Sequence, residues 1–173
     1  MSRTLSLLNR QRARRVDTRL LRQITSQLLD TELGVESFEL AIHLVGAREM
    51  AKVNWDFLQH EGSTDVITFD HSESQDGAAD LHGELFICID DAVKQAREFR
   101  TTWQSELARY VVHGVLHLRG YDDLAPAPRR KMKREENRLV RKLALHFGLA
   151  ALEKRATQGR GAKPVARKRR IKT

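Results

Sequence analysis

The segment that most constrains this chain is His-Gly-Val-Leu-His-Leu-Arg-Gly-Tyr-Asp-Asp, residues 113–123. His113 and His117 are four residues apart, so in a helix both imidazoles lie on one face. Gly120 can end such a helix sharply, because glycine tolerates the backbone conformation of a C-terminal cap. The chain can then turn back and bring Asp123 towards the two histidines. Three ligands with one position left open are typical of a catalytic zinc site, since structural zinc sites have four.

The spacing His-x-x-x-His-x-x-Gly-x-x-Asp also matches that of the metzincin proteases. In those enzymes a Glu follows the first His and is the general base of peptide hydrolysis. Gly114 stands at this position here. The sequence therefore disfavours a protease and indicates another kind of metal-dependent hydrolase.

The same segment resembles the motif His-Gly-x-Leu-His-Leu-x-Gly-Tyr-Asp-His of the YbeY-type endoribonucleases, which take part in rRNA maturation. Residues 53–70 resemble the family's Asn-centred helix and Thr-Asp-Val strand, and residues 81–96 its Gly-Asp strand and Gln-Ala helix. The resemblance covers most of residues 5–147. It implies a zinc-dependent endoribonuclease that hydrolyses single-stranded RNA, in rRNA maturation and ribosome quality control. The implied partners are rRNA and the ribosome or its assembly factors.

The first departure from the family motif is Asp123, which replaces the third His ligand. Asp is an acceptable zinc ligand, so the resemblance implies one Zn²⁺ per chain, held by His113, His117 and Asp123. The added negative charge should make a metal-bound water less acidic and widen the choice of metal towards harder ions. Asp122 is the second candidate for this role, but the family motif also has an Asp there, beside its own ligand.

The second departure is Leu58, where family members commonly carry an Arg that is thought to serve RNA cleavage. A leucine cannot contact a phosphate ionically, so another cation has to do so or catalysis is weaker; nearby His60 is a candidate. Thr64 and Asp65 match a family motif and are candidate substrate contacts; the alternative is that they merely start the strand. The motif contains no obvious general base. Glu84, Asp65 and Asp122 are candidates, with a structural role as the alternative for each.

A rival interpretation is a non-catalytic ribosome-assembly or rRNA-binding factor whose metal site is structural or degenerate. Leu58 favours this rival, and the intact set of three ligands argues against it.

The net charge of +8 is unevenly distributed. Residues 1–22 carry a net charge of +6, residues 23–128 carry −12, residues 129–153 carry +5 and residues 154–173 carry +9. This pattern fits a polyanionic partner that is bound by the basic ends of the chain. Catalysis would then take place at the acidic centre, whose negative charge the metal ion neutralises. Aromatic residues make up only 6%, so phosphate contacts are expected to dominate over base stacking.

Length and composition predict one metal-dependent hydrolase domain over residues 1–150 and a basic, disordered tail over 151–173. The single cysteine, Cys88, excludes an internal disulfide and fits a reducing cytoplasm. No apolar run approaches the roughly 20 residues that span a bilayer, so no membrane partner is expected.

Hydrophobic periodicity predicts an α+β fold, a small mixed sheet packed by helices. The resemblance implies the same layout, with the metal-bearing helix at its centre. The predicted strands cover about residues 4–9, 37–45, 65–69 and 82–89, and the predicted helices about residues 17–30, 46–58, 90–99, 103–119 and 127–147. The predicted N-caps are Asp17 for the first helix, Asp90 or Asp91 for the third and Thr101 for the fourth.

Overall fold

The computed structural model describes residues 2–73 and 80–156 and has the predicted α+β architecture. Its strands are β1 (Arg3–Asn9), β2 (Ser37–Val45), β3 (Val66–Asp70) and β4 (Asp80–Cys88). Its α-helices are α1 (Thr18–Gln27), α2 (Ala47–Leu58), α3 (Ile89–Phe99), α4 (Trp103–Leu118) and α5 (Pro126–His146). A π-helical turn extends α1 over Leu28–Glu32, and a 3-10 turn follows α5 over Leu149–Leu152.

The four strands form one mixed sheet in the order β1-β2-β4-β3. β1 pairs in parallel with β2, and β2 in parallel with β4. β3 is antiparallel to β4, with Ile67 opposite Phe86 and Phe69 opposite Glu84. The prediction of a small mixed sheet is confirmed.

Helix α4 is the centre of the molecule. It lies directly on β3 and β4, and α1, α3 and α5 pack around it. The predicted apolar stripe of α4 is entirely buried: Leu107, Val111, Val115 and Leu118. Alternate residues of the strands face the same core, namely Phe38, Leu40, Ile42 and Leu44 of β2 and Leu81, Leu85 and Ile87 of β4. The central position predicted for the motif-bearing helix is thus confirmed.

Two glycines allow α4 to lie this close to the sheet. A Cβ on Gly114 would lie 2.6 Å from Cδ2 of Leu85, and a Cβ on Gly83 would lie 2.6 Å from Cδ2 of Leu118. A Cβ on Gly83 would also lie 2.6 Å from the Phe69 carbonyl oxygen, so this position has no room for a side chain. A Cβ on Gly114 would displace the buried side chain of Leu85, so packing favours glycine after His113 over the Glu that metzincin proteases carry there.

The opposite face of the sheet is only partly covered. Helix α2 packs over β3 and β4 through a small cluster of Val45, Met50, Ile67 and Cys88. Side chains alternate along a strand, so Glu84 points to this face while its neighbours Gly83 and Leu85 point to α4. Cys88 is buried as predicted, and burial raises the pKa of its thiol to about 12.

The N-terminal ends of the helices can be compared with the predicted N-cap residues. Asp17 caps α1 as predicted, because its carboxylate accepts a hydrogen bond from the Leu20 amide at 3.0 Å. The prediction that Asp90 or Asp91 caps α3 is wrong: Cys88 is at the cap position with no side-chain bond, and Asp90 accepts from the Ala47 amide.

For α4 the prediction is wrong by one residue. Thr102, not Thr101, accepts a hydrogen bond from the Ser105 amide, and the Thr101 hydroxyl donates to the Glu106 carboxylate instead.

The packed structure continues past residue 150, since Leu152 is fully buried and Glu153 bridges to Val16. Most of the predicted basic tail, residues 157–173, and part of the loop before β4 lie outside the described residues. Within the described ranges no helix is both long enough and apolar enough to cross a membrane.

Candidate metal centre

The structure brings His113, His117 and Asp123 together at the C-terminal half of α4. The two Nε2 atoms are 3.1 Å apart. Oδ2 of Asp123 lies 3.7 Å from Nε2 of His113 and 3.6 Å from Nε2 of His117. Of all the His, Cys, Asp and Glu side chains in the described residues, these form the one group with the geometry to hold a metal ion.

These distances fit a tetrahedral ion. With ligand bonds of about 2.0–2.1 Å, two ligand atoms of a tetrahedral zinc site are about 3.3–3.4 Å apart. The three observed separations, 3.1, 3.6 and 3.7 Å, bracket that value. All three side chains are partly exposed, which leaves the fourth position of the tetrahedron accessible.

A tight helix end brings Asp123 to the histidines. Gly120 has a φ of +85°, its amide donates to the His117 carbonyl, and the Tyr121 amide donates to the Leu116 carbonyl. This pair of bonds is a Schellman motif, for which glycine is the preferred residue. The predicted role of Gly120 as the helix stop is confirmed.

Asp122 and Asp123 have different environments. Asp122 is exposed, and its Oδ1 accepts a hydrogen bond from the Leu124 amide at 2.9 Å, so this carboxylate shapes the turn. Asp123 is only partly exposed and faces the two imidazoles. The geometry favours Asp123 as the third ligand.

The outer nitrogen of each imidazole has a partner. Nδ1 of His113 is 3.0 Å from Oε2 of Glu136, and Nδ1 of His117 is 3.0 Å from the carbonyl oxygen of Tyr121. An imidazole that donates from Nδ1 keeps the lone pair of Nε2 free for a metal. Such outer bonds fix the orientation of a ligand histidine and raise its basicity.

Glu136 is the central residue of this outer layer, and sequence reasoning missed it. Its side chain is 4% exposed, and it also accepts hydrogen bonds from Arg109 at 2.6 Å and Lys133 at 2.9 Å. Burial alone would raise the pKa of Glu136, but the bonds from His113, Arg109 and Lys133 outweigh it and lower that pKa to about 2. The sequence feature that could have revealed Glu136 is its position on the apolar stripe of α5, between Met132 and Leu139. A charged residue is rarely buried in such a stripe unless it has a partner of opposite charge.

The metal centre opens into a cleft of about 190 Å³ between α4 and α5. Three cations line it, namely Arg109, Arg129 and Lys133. The guanidinium of Arg129 donates to the Asp123 carbonyl at 2.8 Å, which holds this cation beside the candidate ligand. The cleft therefore combines a metal-binding geometry with positive charge.

Asp65 and Tyr110 also line the cleft. Oδ1 of Asp65 accepts from the Val66 amide at 2.9 Å and from the Thr64 hydroxyl at 3.1 Å. The Tyr110 hydroxyl is buried and has no hydrogen-bond partner among the described residues. Burial, followed by the charge of Asp65, raises the pKa of Tyr110.

The other predicted site residues lie elsewhere. Glu84 accepts hydrogen bonds from His43 and His71 on the opposite face of the sheet, so it does not face the cleft. His60 is exposed in the loop after α2 and is not among the residues that line the cleft. Thr64 reaches the cleft only through its bond to Asp65, and Leu58, 45% exposed, ends α2.

The fold and this centre define an α+β protein with a candidate catalytic metal site at the end of a central helix. A family model described as Endoribonuclease YbeY matches residues 6–144. The chain belongs to the YbeY endoribonuclease family.

Individual relatives agree with this assignment. The Endoribonuclease YbeY of Chlorobium luteolum is 35% identical over 130 residues, which cover 75% of this chain and 91% of the relative. That of Salinibacter ruber is 34% identical over 133 residues, covering 74% of this chain and 84% of the relative. The solution structure of TM1509 from Thermotoga maritima has the same fold, with a TM-score of 0.63, 24% identity and coverage of 91% of this chain and 100% of that one.

Proposed function

We propose that this protein is a zinc-dependent endoribonuclease that hydrolyses single-stranded RNA in rRNA maturation and ribosome quality control, in the cytoplasm. Family membership supports the RNA endonuclease activity. The observation that carries the metal dependence is the set of three ligand atoms separated by 3.1–3.7 Å, with an outer hydrogen bond behind each histidine. A zinc ion held there would lower the pKa of a water molecule and polarise a phosphoryl oxygen.

Cations that line the cleft can replace the Arg that is missing at position 58. Arg129 donates to the Asp123 carbonyl and Lys133 donates to Glu136, and both line the same cleft as His113. Their remaining N–H donors can contact a phosphate that approaches the metal centre. Arg109 is bound to Glu136 and Asn137, and its role is to fix the outer layer of the site. Two cations on α5 thereby take over the charge that Leu58 cannot supply.

Asp65 is the best placed of the three carboxylates considered as a general base, since neither Glu84 nor Asp122 is among the residues that line the cleft. It lines the cleft, whereas Glu84 faces the other side of the sheet. One oxygen of Asp65 is engaged by the Val66 amide and the Thr64 hydroxyl, which orients the carboxylate. Its second oxygen is available to accept a proton or to orient a water molecule.

Cleavage of single-stranded RNA by zinc-loaded protein tests the proposal. The matched control is the His113→Ala, His117→Ala double variant, purified identically and shown by circular dichroism to be folded. Both substitutions are on the partly exposed face of α4, so the core of the helix is preserved. We expect cleavage by the parent protein and none by the double variant, together with loss of the bound zinc.

Equal cleavage by the two proteins would point to a contaminating nuclease and remove the support for a catalytic centre. The absence of cleavage in both, with RNA binding retained, would favour the rival function of a non-catalytic ribosome-assembly or rRNA-binding factor. A Leu58→Arg variant adds a further comparison: no gain in rate is expected if Arg129 and Lys133 already supply the charge.

A further inference from the structure

The first two turns of α5 carry an unusual concentration of positive charge. Residues 126–134 contain five basic side chains and no acidic one: Arg129, Arg130, Lys131, Lys133 and Arg134. The N-terminal end of a helix carries a positive partial charge, so cations there destabilise the helix and acidic residues are the usual choice. A bound anion would remove this penalty.

The distal half of α5 is different. Arg138 pairs with Glu135, and Lys142 pairs with Glu32 of the π-helical turn. By contrast, Arg130 and Arg134 form no ion pair with a carboxylate of the described residues, and both are exposed. In the distal half, Arg141 is the one cation without a carboxylate partner among the described residues, so the uncompensated charge is concentrated in the N-terminal half of the helix.

Two grooves lie beside this half of α5, in addition to the metal cleft. The middle groove, of about 430 Å³, is lined by Arg130, Lys133, Arg134, Ala127 and Asn137. A second one, of about 650 Å³, lies between α5 and the turn after α4 and is called the Tyr121 groove here. Its lining residues are Arg119, Gly120, Tyr121, Asp122, Ala127, Pro128, Lys131 and Arg134.

Neighbouring depressions share lining residues. Lys133 lines both the metal cleft and the middle groove, and Arg134 lines both the middle groove and the Tyr121 groove. The ammonium of Lys131 lies 5.6 Å from the centre of the Tyr121 ring, which holds this charge at the mouth of its groove. In the part of the chain that the structure describes, Asp122 is the single acidic residue that lines the Tyr121 groove.

The five cations at the start of α5 are called the cationic belt: Arg129, Arg130, Lys131, Lys133 and Arg134. We propose that this belt binds the phosphates of the RNA strand beyond the cleavage point and directs the strand from the metal cleft, over α5, into the Tyr121 groove. The proposal rests on the proposed function for the identity of the ligand, but the binding itself needs no metal. A strand gripped along this path is fixed in position relative to the metal centre, which selects where it is cut.

The first experiment measures binding of a fluorescent single-stranded RNA to the full chain in the presence of a chelator, at several salt concentrations. The belt variant is Arg130→Gln, Arg134→Gln, since these two residues lie outside the metal cleft. The matched control is Arg138→Gln, Arg141→Gln, which removes the same charge from the distal half of the same helix. Circular dichroism and thermal unfolding establish that both variants are folded.

We expect the belt variant to bind RNA at least about tenfold more weakly. Loss of two phosphate contacts should also reduce the slope of log K against log salt by about 1.4, at about 0.7 per contact on a single strand. The control should retain most of the affinity and the slope. Equal weakening in the two variants, or no weakening in the belt variant, would overturn the proposal.

A second readout separates this proposal from the proposed function. If the zinc-loaded protein cleaves RNA, the belt variant should show a raised KM for long RNA, an unchanged kcat and normal cleavage of a substrate too short to reach the middle groove. If the protein cleaves no RNA, the proposed function fails, while the binding experiment in chelator still decides whether the belt holds the strand.

Discussion

Glu136, on helix α5, accepts a hydrogen bond from Nδ1 of His113, on helix α4, at 3.0 Å. The carboxylate lies behind the imidazole, on the side away from the three candidate ligand atoms. It also accepts hydrogen bonds from Arg109 and Lys133, both of which line the cleft. One buried carboxylate thus orients a candidate ligand and positions two cations of the same site.

Replacing Glu136 with Gln tests this arrangement. The amide oxygen can still accept from His113, but the negative charge that strengthens the imidazole as a ligand is lost. We expect zinc affinity to fall by about 10–100-fold, the usual effect of removing an outer partner of a ligand histidine. Competition with a chromophoric chelator measures the affinity.

Glu135→Gln is the matched control, because Glu135 is adjacent on the same helix and, among the described residues, pairs only with Arg138. Its zinc affinity should equal that of the parent protein. An unchanged affinity in Glu136→Gln would show that the outer hydrogen bond makes no contribution to the metal site.

The choice between the two neighbouring aspartates gives a second prediction. Asp123→Asn should lower zinc affinity by more than about a hundredfold, because it removes a charged ligand and not only an outer partner. Asp122→Asn should have little effect, because the Asn side-chain oxygen can still accept from the Leu124 amide. Isothermal titration with zinc compares the two, and the reverse order of affinities would identify Asp122 as the ligand.

A third prediction concerns the general base and rests on the proposed RNA cleavage. Asp65→Asn should reduce kcat by about 10²-fold or more, the range for loss of a general acid or base. The Asn oxygen can still accept from the Val66 amide, so the start of β3 should be preserved. Glu84→Gln should leave kcat unchanged, since Glu84 lies on the opposite face of the sheet. Equal rates in the Asp65 variant and the parent protein would exclude Asp65 as the base.

The buried hydroxyl of Tyr110 gives a prediction about stability. It has no hydrogen-bond partner among the described residues, and leaving such a group unsatisfied costs about 1–3 kcal/mol. Tyr110→Phe should therefore raise the free energy of unfolding by about 1 kcal/mol, measured by urea denaturation without metal. Tyr110→Leu should lower it, because the ring volume is lost from the core. A less stable Phe variant would mean that the hydroxyl has a partner in solution at the wall of the cleft.

The sequence predicted the local part of the candidate site. The separation of His113 and His117 places them on one face of α4, because helical periodicity depends only on neighbouring residues. Gly120 stops the helix for an equally local reason, since its φ of +85° suits glycine. Asp123 then follows within a few residues of the cap. The order of strands and helices was also predicted, because hydrophobic periodicity reflects burial along each element.

Only the tertiary structure decided which distant residues join this site. Glu136 is 23 residues from His113 and comes near it because α5 packs against α4. The sequence makes Glu84 a candidate base, but the alternation of its strand turns it to the other face. The cations of the cleft and the belt on α5 become neighbours of the metal centre through the same helix packing. The sequence alone determined the three candidate ligands, and the packing of helices on the sheet determined everything that surrounds them.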